Sequence, residues 1–274
     1  MNLSIAIVGL PNAGKSTLFN ALLSRRIANV APYPFCTIEP NKGIVEVPDN
    51  RLQTLANVVH TEKLVPAVVE FVDVAGLVAG ASKGEGLGNQ FLANIRECSA
   101  IVHVLRGFKD ENVTRDAIID PESDFEIVKT ELCIADLQTL EKQKEPNQAV
   151  ATKQDKFRWE TILKLREVLE QDKEIRSVEW NEDQKEIIKS LFLLSAKPAI
   201  MVLNVDEEDV GVGSDQPSLK LRPAGRWVEK LGWDVGTGFI PICAKTEMEL
   251  ADLEPEERRQ YLEELGLKES SLER

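Results

Sequence analysis

The chain has 274 residues, of which 46 are acidic, 33 basic and 43% hydrophobic, giving a formal charge of −13. That length exceeds a single domain of roughly 100–200 residues, so two units or one domain with an insertion are expected, and the apolar content excludes disorder throughout. The acidity argues against a DNA-wrapping protein, which needs a strong positive field, although a local basic face stays compatible with it.

Met1 leads directly into an apolar strand pattern, with no charged leader or cleavage site. No apolar run approaches the ~20 residues that span a bilayer, so a soluble, cytoplasmic protein with no membrane partner is expected. Cys36, Cys98, Cys133 and Cys243 are scattered and form no CxxC pair, which favours reduced thiols over a disulfide framework or structural zinc.

Leu3–Val8 reads as a buried strand ending at Gly9, and Lys15–Leu23 has helical spacing after the loop at Leu10–Gly14. Strand-like runs recur at Gly43–Val47, Val68–Val74, Ala100–Leu105, Ala199–Val205 and Phe239–Cys243, with helical patterns between most of them. This alternation predicts an α/β fold: a mostly parallel sheet flanked by helices on both faces, with ligands at the carboxyl ends of the strands. From Ser123 to Leu194 the rhythm breaks, and no convincing strand is found. Ile127, Ile134 and Leu137 recur at helical spacing, as do Trp159, Ile162, Leu165 and Leu169, with a turn at Pro146-Asn147. Two helices in an antiparallel hairpin are the economical reading, followed by a returning helix at Glu182–Leu194. The expected organisation is thus residues 1–122 and 195–274 as one nucleotide domain, with 123–194 inserted. Lys142, Lys144, Lys153, Lys156, Arg158, Lys164 and Arg166 are interspersed with glutamates, which fits a solvated helix surface better than an RNA face.

Gly9-Leu10-Pro11-Asn12-Ala13-Gly14-Lys15-Ser16-Thr17 matches GxxxxGK[ST] between a strand and a helix. Small residues let the N–H groups of Asn12, Ala13, Gly14, Lys15, Ser16 and Thr17 turn inward around phosphate oxygens, at the positive end of the following helix. Lys15 places a charge on the β- and γ-phosphates, and the Ser16 hydroxyl can ligate Mg²⁺. Asp73-Val74-Ala75-Gly76 is a DxxG arrangement at a strand end, where Asp73 supports the metal and the Gly76 N–H meets the γ-phosphate. Thr37 lies between these motifs and is placed to bring a second hydroxyl to Mg²⁺. Together they predict a switch that γ-phosphate orders and hydrolysis releases.

Guanine-specific P-loop GTPases read the base with Asn-Lys-x-Asp. Here the corresponding run is Asn204-Val205-Asp206-Glu207, with Glu207 for the aspartate and Val205 for the lysine. A carboxylate displaced by a methylene cannot keep the bidentate bond to guanine, and an unpaired buried polar group costs roughly 1–3 kcal/mol. Adenine is therefore expected, paired with main-chain groups near Val205 and the amide of Asn204, with Cys243-Ala244-Lys245 as the supporting loop. Leu77, directly after DxxG, stands where a Ras-like enzyme has its water-orienting glutamine, so catalysis is slow or comes from elsewhere. His103, on the strand Ala100–Leu105, could offer an imidazole near the γ-phosphate, although a lone strand histidine is more often a core residue. Gly80, Gly84, Gly86 and Gly88 suggest a mobile segment beside the switch.

With residues 9–17, Pro34-Phe35-Cys36-Thr37-Ile38-Glu39-Pro40-Asn41 and Gly80-Ala81-Ser82-Lys83-Gly84-Glu85-Gly86-Leu87-Gly88-Asn89-Gln90-Phe91, the chain resembles the YchF, or Obg-like ATPase, branch of the Obg-related P-loop NTPases along essentially its whole length. The resemblance implies a Ras-like G domain with an inserted, coiled-coil-like helical hairpin, ATP preferred over GTP, and association with ribosomes. It also implies a hydrophobic residue at Leu77, a part for His103 in hydrolysis, and a potassium ion seated by Asn12 beside the phosphates. Relatives continue past a Leu-Gly-Leu helix end, here Leu265-Gly266-Leu267, into a TGS domain; this chain stops at Arg274, so that domain is expected to be absent. The leading expectation is a ribosome-associated ATPase switch. The alternatives are a GTPase tolerating Glu207 and a nucleotide-gated ribosome-binding module with negligible turnover.

Overall fold

The computed structural model describes residues 3–29, 41–61, 63–74, 87–109, 119–147, 149–210, 239–267 and 269–273. Thr37, Gly76, Leu77, Gly80, Gly84 and Gly86 lie outside the described residues.

Among the described residues six strands form one sheet: β1 (Leu3–Val8), β2 (Lys42–Glu46), β3 (Val68–Asp73), β4 (Ala100–Arg106), β5 (Ala199–Asn204) and β6 (Phe239–Ile242). Their order is β2-β3-β1-β4-β5-β6; β2 runs antiparallel to β3 and every other pair is parallel. The helices are α1 (Lys15–Asn29), α2 (Asn50–Val59), α3 (Leu87–Glu97), α4 (Pro121–Glu141), α5 (Lys153–Glu170), α6 (Glu182–Ser190), α7 (Glu207–Val210), α8 (Ala244–Asp252) and α9 (Pro255–Glu264). Gly88, expected in a mobile segment, belongs instead to the first turn of α3.

Side chains of the central strands alternate between two cores, as burial of both sheet faces requires. Ala6, Val8 and Ile101 pack with Ile95 of α3 and Val128 and Leu132 of α4. Ile5, Ile7, Val102 and Val104 pack with Leu18 and Phe19 of α1 and Ala244 of α8. The P-loop thus emerges from a strand held on both faces.

α4 starts at an Asp120 cap whose side chain accepts from Ser123 N, with Pro121 in the first turn. Its apolar face is not the expected one. Ile127, Ile134 and Leu137 are only half-buried, whereas Phe125, Val128, Leu132, Cys133, Ala135 and Leu140 are buried. The helix is covered on two sides, so no single stripe describes it. Val128, Leu132 and Ala135 meet the sheet, while Cys133 and Leu140 join a separate cluster with Ile162, Leu165 and Leu169 of α5, Ile175, and Ile188 of α6. α5 and α6 each open with a reciprocal capping box, Thr152 with Asp155 and Asn181 with Gln184. α6 ends at Ser190, four residues before the expected Leu194; Phe192 takes φ 51° in the turn beyond it. No helix among the described residues is long and apolar enough to cross a membrane.

Candidate functional site

The site lies at the carboxyl ends of β1, β3 and β5. The P-loop backbone makes unusual demands. Gly14 has φ 90°, and a Cβ there would stand 2.1 Å from Asn204 Nδ2; Gly9 passes so near β4 that a Cβ would stand 2.3 Å from the Val104 carbonyl oxygen. Asn12 takes a left-handed φ of 63°, which asparagine tolerates, and is exposed. Ala13 is buried, Thr17 is half-buried in the first turn of α1, and that turn carries no acidic residue to offset its N-terminal partial charge.

Lys15 is 6% exposed and its ammonium donates to the Leu10 carbonyl at 2.8 Å. Burial lowers its pKa, opposed by the attraction of Asp73. An ammonium has three donors, so this bond is compatible with phosphate contacts. The Ser16 hydroxyl donates to Asp73 Oδ2 at 2.9 Å, although the two residues are 57 positions apart in the chain. Asp73 Oδ1 is buried with no hydrogen-bond partner. A hydroxyl against a carboxylate that keeps one unsatisfied oxygen is a hard-oxygen donor set of the kind Mg²⁺ takes. The residues present therefore fit the metal.

Asn204 and Val205, expected at the base, are both tied into the scaffold. Asn204 Nδ2 donates to the Ala13 carbonyl at 3.1 Å, and its Oδ1 accepts from Ala244 N at 2.9 Å, so one buried amide ties the P-loop to the start of α8. The Val205 N–H donates to the Ile242 carbonyl at 2.8 Å and its side chain is buried against Leu105, Phe125 and Leu203. The Val205 and Ala244 N–H groups are committed within the fold, whereas the Asn204 amide has a second N–H beyond its bond to Ala13. Cys243 is buried immediately before α8 and provides no side-chain cap. Glu207 is half-buried at the start of α7, where Tyr261 reaches it.

His103 takes the core position that a lone strand histidine usually has. It is 0% exposed on the sheet face beneath α4, with its ring edge-on to Phe125 at 5.4 Å between centroids. Neither ring nitrogen has a hydrogen-bond partner, and burial with the nearby Arg176 charge pushes its pKa down to about 3. Sealed in this way, the ring presents neither nitrogen to solvent. The unfolded chain binds a proton here below pH 6.5 and the folded chain does not, so this group's contribution is complete above pH 6.5 and is lost as pH falls toward 3. His103→Leu is therefore expected to recover about 2 kcal/mol of the stability the parent loses between pH 7 and pH 5, measured by denaturant titration at both pH values. Parallel losses in parent and variant would exclude this account.

Similarity to known proteins follows the same outline. A family model described as "50S ribosome-binding GTPase" matches residues 4–153. The "Ribosome-binding ATPase YchF" of Bacillus subtilis is 48% identical over 280 aligned positions, covering 100% of this chain and 74% of its own length. The "Obg-like ATPase 1" of Caenorhabditis elegans is 37% identical, covering 97% of this chain and 67% of its own. The solved structure of the Schizosaccharomyces pombe YchF GTPase matches at TM-score 0.79 and 34% identity, over 99% of this chain and 73% of its own. A P-loop with its lysine, serine and aspartate assembled on this sheet, together with identity at these levels along the whole chain, places the protein in the YchF/Obg-like ATPase family of P-loop NTPases.

Proposed function

We propose that the chain is a ribosome-associated ATPase switch of the cytoplasm. The contact between Ser16 and Asp73 carries the proposal, because it brings the P-loop and the DxxG strand to one metal-competent point. The N–H groups from Asn12 to Thr17 and the Lys15 ammonium hold the phosphates, and Ser16, Thr37 and Asp73 hold Mg²⁺. Bound Mg²⁺ would neutralise charge on the phosphate oxygens as water attacks the γ-phosphorus. The Gly76 N–H meets the γ-phosphate, and Asn12 seats a potassium ion beside it. Asn204 fixes Ala13 and Ala244, and its second amide N–H serves the adenine base.

ATP is favoured because Glu207 replaces the guanine-reading aspartate, and curated relatives carry the name ATPase even though the family model is described as a GTPase. Residues 123–194, with a hydrophobic cluster of their own between β4 and β5, are proposed as a unit inserted in a domain formed by 1–122 and 195–274. A nucleotide-gated binding module with slow turnover is the second reading, favoured by the burial of His103. Multiple-turnover hydrolysis of ATP and GTP with and without 50S subunits or whole ribosomes separates the two. Ribosome-stimulated ATP turnover is expected; no turnover above background in any condition would leave the binding module.

A further inference from the structure

Glu207 is held by a residue 54 positions away in the chain. The Tyr261 hydroxyl of α9 donates to Glu207 Oε1 at 3.4 Å and also lies 3.3 Å from Glu249 Oε2 of α8. Lys245 Nζ stands 3.9 Å from Glu249 Oε1, so the second carboxylate has a cation on its far side. A phenol has one proton, and its division between two carboxylates accounts for two long contacts in place of one short one.

We propose that Tyr261 is a specificity-positioning residue: its hydroxyl keeps the Glu207 carboxylate on the α8–α9 side and withholds it from a guanine base. The inference rests on the adenine reading of the site given above. Guanine needs a carboxylate to accept from its N1 and N2 hydrogens, so GTP must first detach Glu207 from Tyr261. Adenine presents an acceptor at N1, which a carboxylate turned inward would repel, so the same tether also removes an unfavourable contact with ATP. The longer glutamate side chain makes the tether necessary, because an unrestrained Glu207 has the rotamer freedom to approach the base.

Equilibrium titration of fluorescent ATP and GTP analogues, with Mg²⁺, against the parent and Tyr261→Phe provides the test. The substitution removes one hydroxyl on a largely exposed helix, and a thermal melt confirms folding. GTP affinity is expected to rise roughly 3- to 10-fold, the upper figure corresponding to about 1.4 kcal/mol, while ATP affinity stays level or weakens slightly. Adding Glu207→Gln to Tyr261→Phe is expected to abolish the gain, since an amide cannot accept from both guanine hydrogens. A parent that prefers GTP would defeat the base reading itself. A parent that prefers ATP, with an ATP-to-GTP ratio unmoved by Tyr261→Phe or a gain that survives Glu207→Gln, would overturn the role of Tyr261 alone.

Discussion

Lys15→Met is expected to lower ATP turnover by two to three orders of magnitude while leaving the fold at least as stable as the parent within about 1 kcal/mol. The loss on the activity side is that of a fixed charge facing phosphate oxygens in a partly desolvated loop. The stability side follows from the lowered Lys15 pKa. A base whose folded pKa lies below its unfolded value costs stability wherever the unfolded ammonium is charged, which includes neutral pH, and the cost disappears as pH rises toward the ordinary lysine value. Methionine removes this cost and fills a similar volume, giving up the single bond to the Leu10 carbonyl. Single-turnover hydrolysis and a thermal melt on the same preparation check both halves. Turnover within tenfold of the parent would remove Lys15 from the chemistry, and a collapsed melt would show that the lysine is structural.

Asp136→Ala carries the largest expected loss of stability, about 3–5 kcal/mol, or on the order of 10 °C in melting temperature. Asp136 is 0% exposed in α4; Oδ1 accepts from Leu194 N at 2.8 Å, and Oδ2 accepts from Ser195 N at 2.8 Å and Ser195 Oγ at 2.7 Å. Arg96 of α3 reaches the same corner, with Nη1 4.0 Å from Asp136 Oδ1 and Nη2 donating to the Ala135 carbonyl and Thr139. Alanine strands two buried N–H groups and one hydroxyl and deprives Arg96 of its counter-charge. This corner joins α4 to the segment that enters β5, the strand that ends in Asn204, so its loosening also reaches the P-loop brace. Burial raises the Asp136 pKa despite the donated hydrogen bonds. The folded chain therefore takes up this proton before the unfolded chain does, and mild acid adds stability through Asp136, the opposite sign to His103. Denaturant unfolding of Asp136→Ala and Asp136→Asn is the check, the asparagine retaining one acceptor and falling between. A loss below about 1 kcal/mol for alanine would contradict the lock.

The sheet was legible because each strand is an apolar run ended by a glycine or polar residue, and all six observed strands lie within about a residue of the expected spans. The P-loop was legible because its geometry leaves so few residues to choose from: only glycine at position 14 avoids the Asn204 amide. At Asn204 the motif names the residue type but not its scaffold partners, Ala13 and Ala244, which lie 191 and 40 positions away. His103 was placed by strand position and by the family resemblance, neither of which shows that α4 covers its face of β4. Asp136 carried a usable signal, since it stands four residues from both Leu132 and Leu140 on a buried side of α4. An acid at that spacing asks for donors, but nothing local reveals that they come from Leu194 and Ser195. Tyr261 gave no sequence signal, because its partners Glu207 and Glu249 lie on separate helices.

With Glu207 in place of the guanine-reading aspartate, this P-loop is expected to serve adenine nucleotide. Parallel equilibrium titrations of the unmodified chain with ATP and GTP, at equal Mg²⁺ and ionic strength, test it directly. ATP binding at least roughly tenfold tighter, about 1.4 kcal/mol, is the predicted result; GTP binding tighter by the same factor would contradict it.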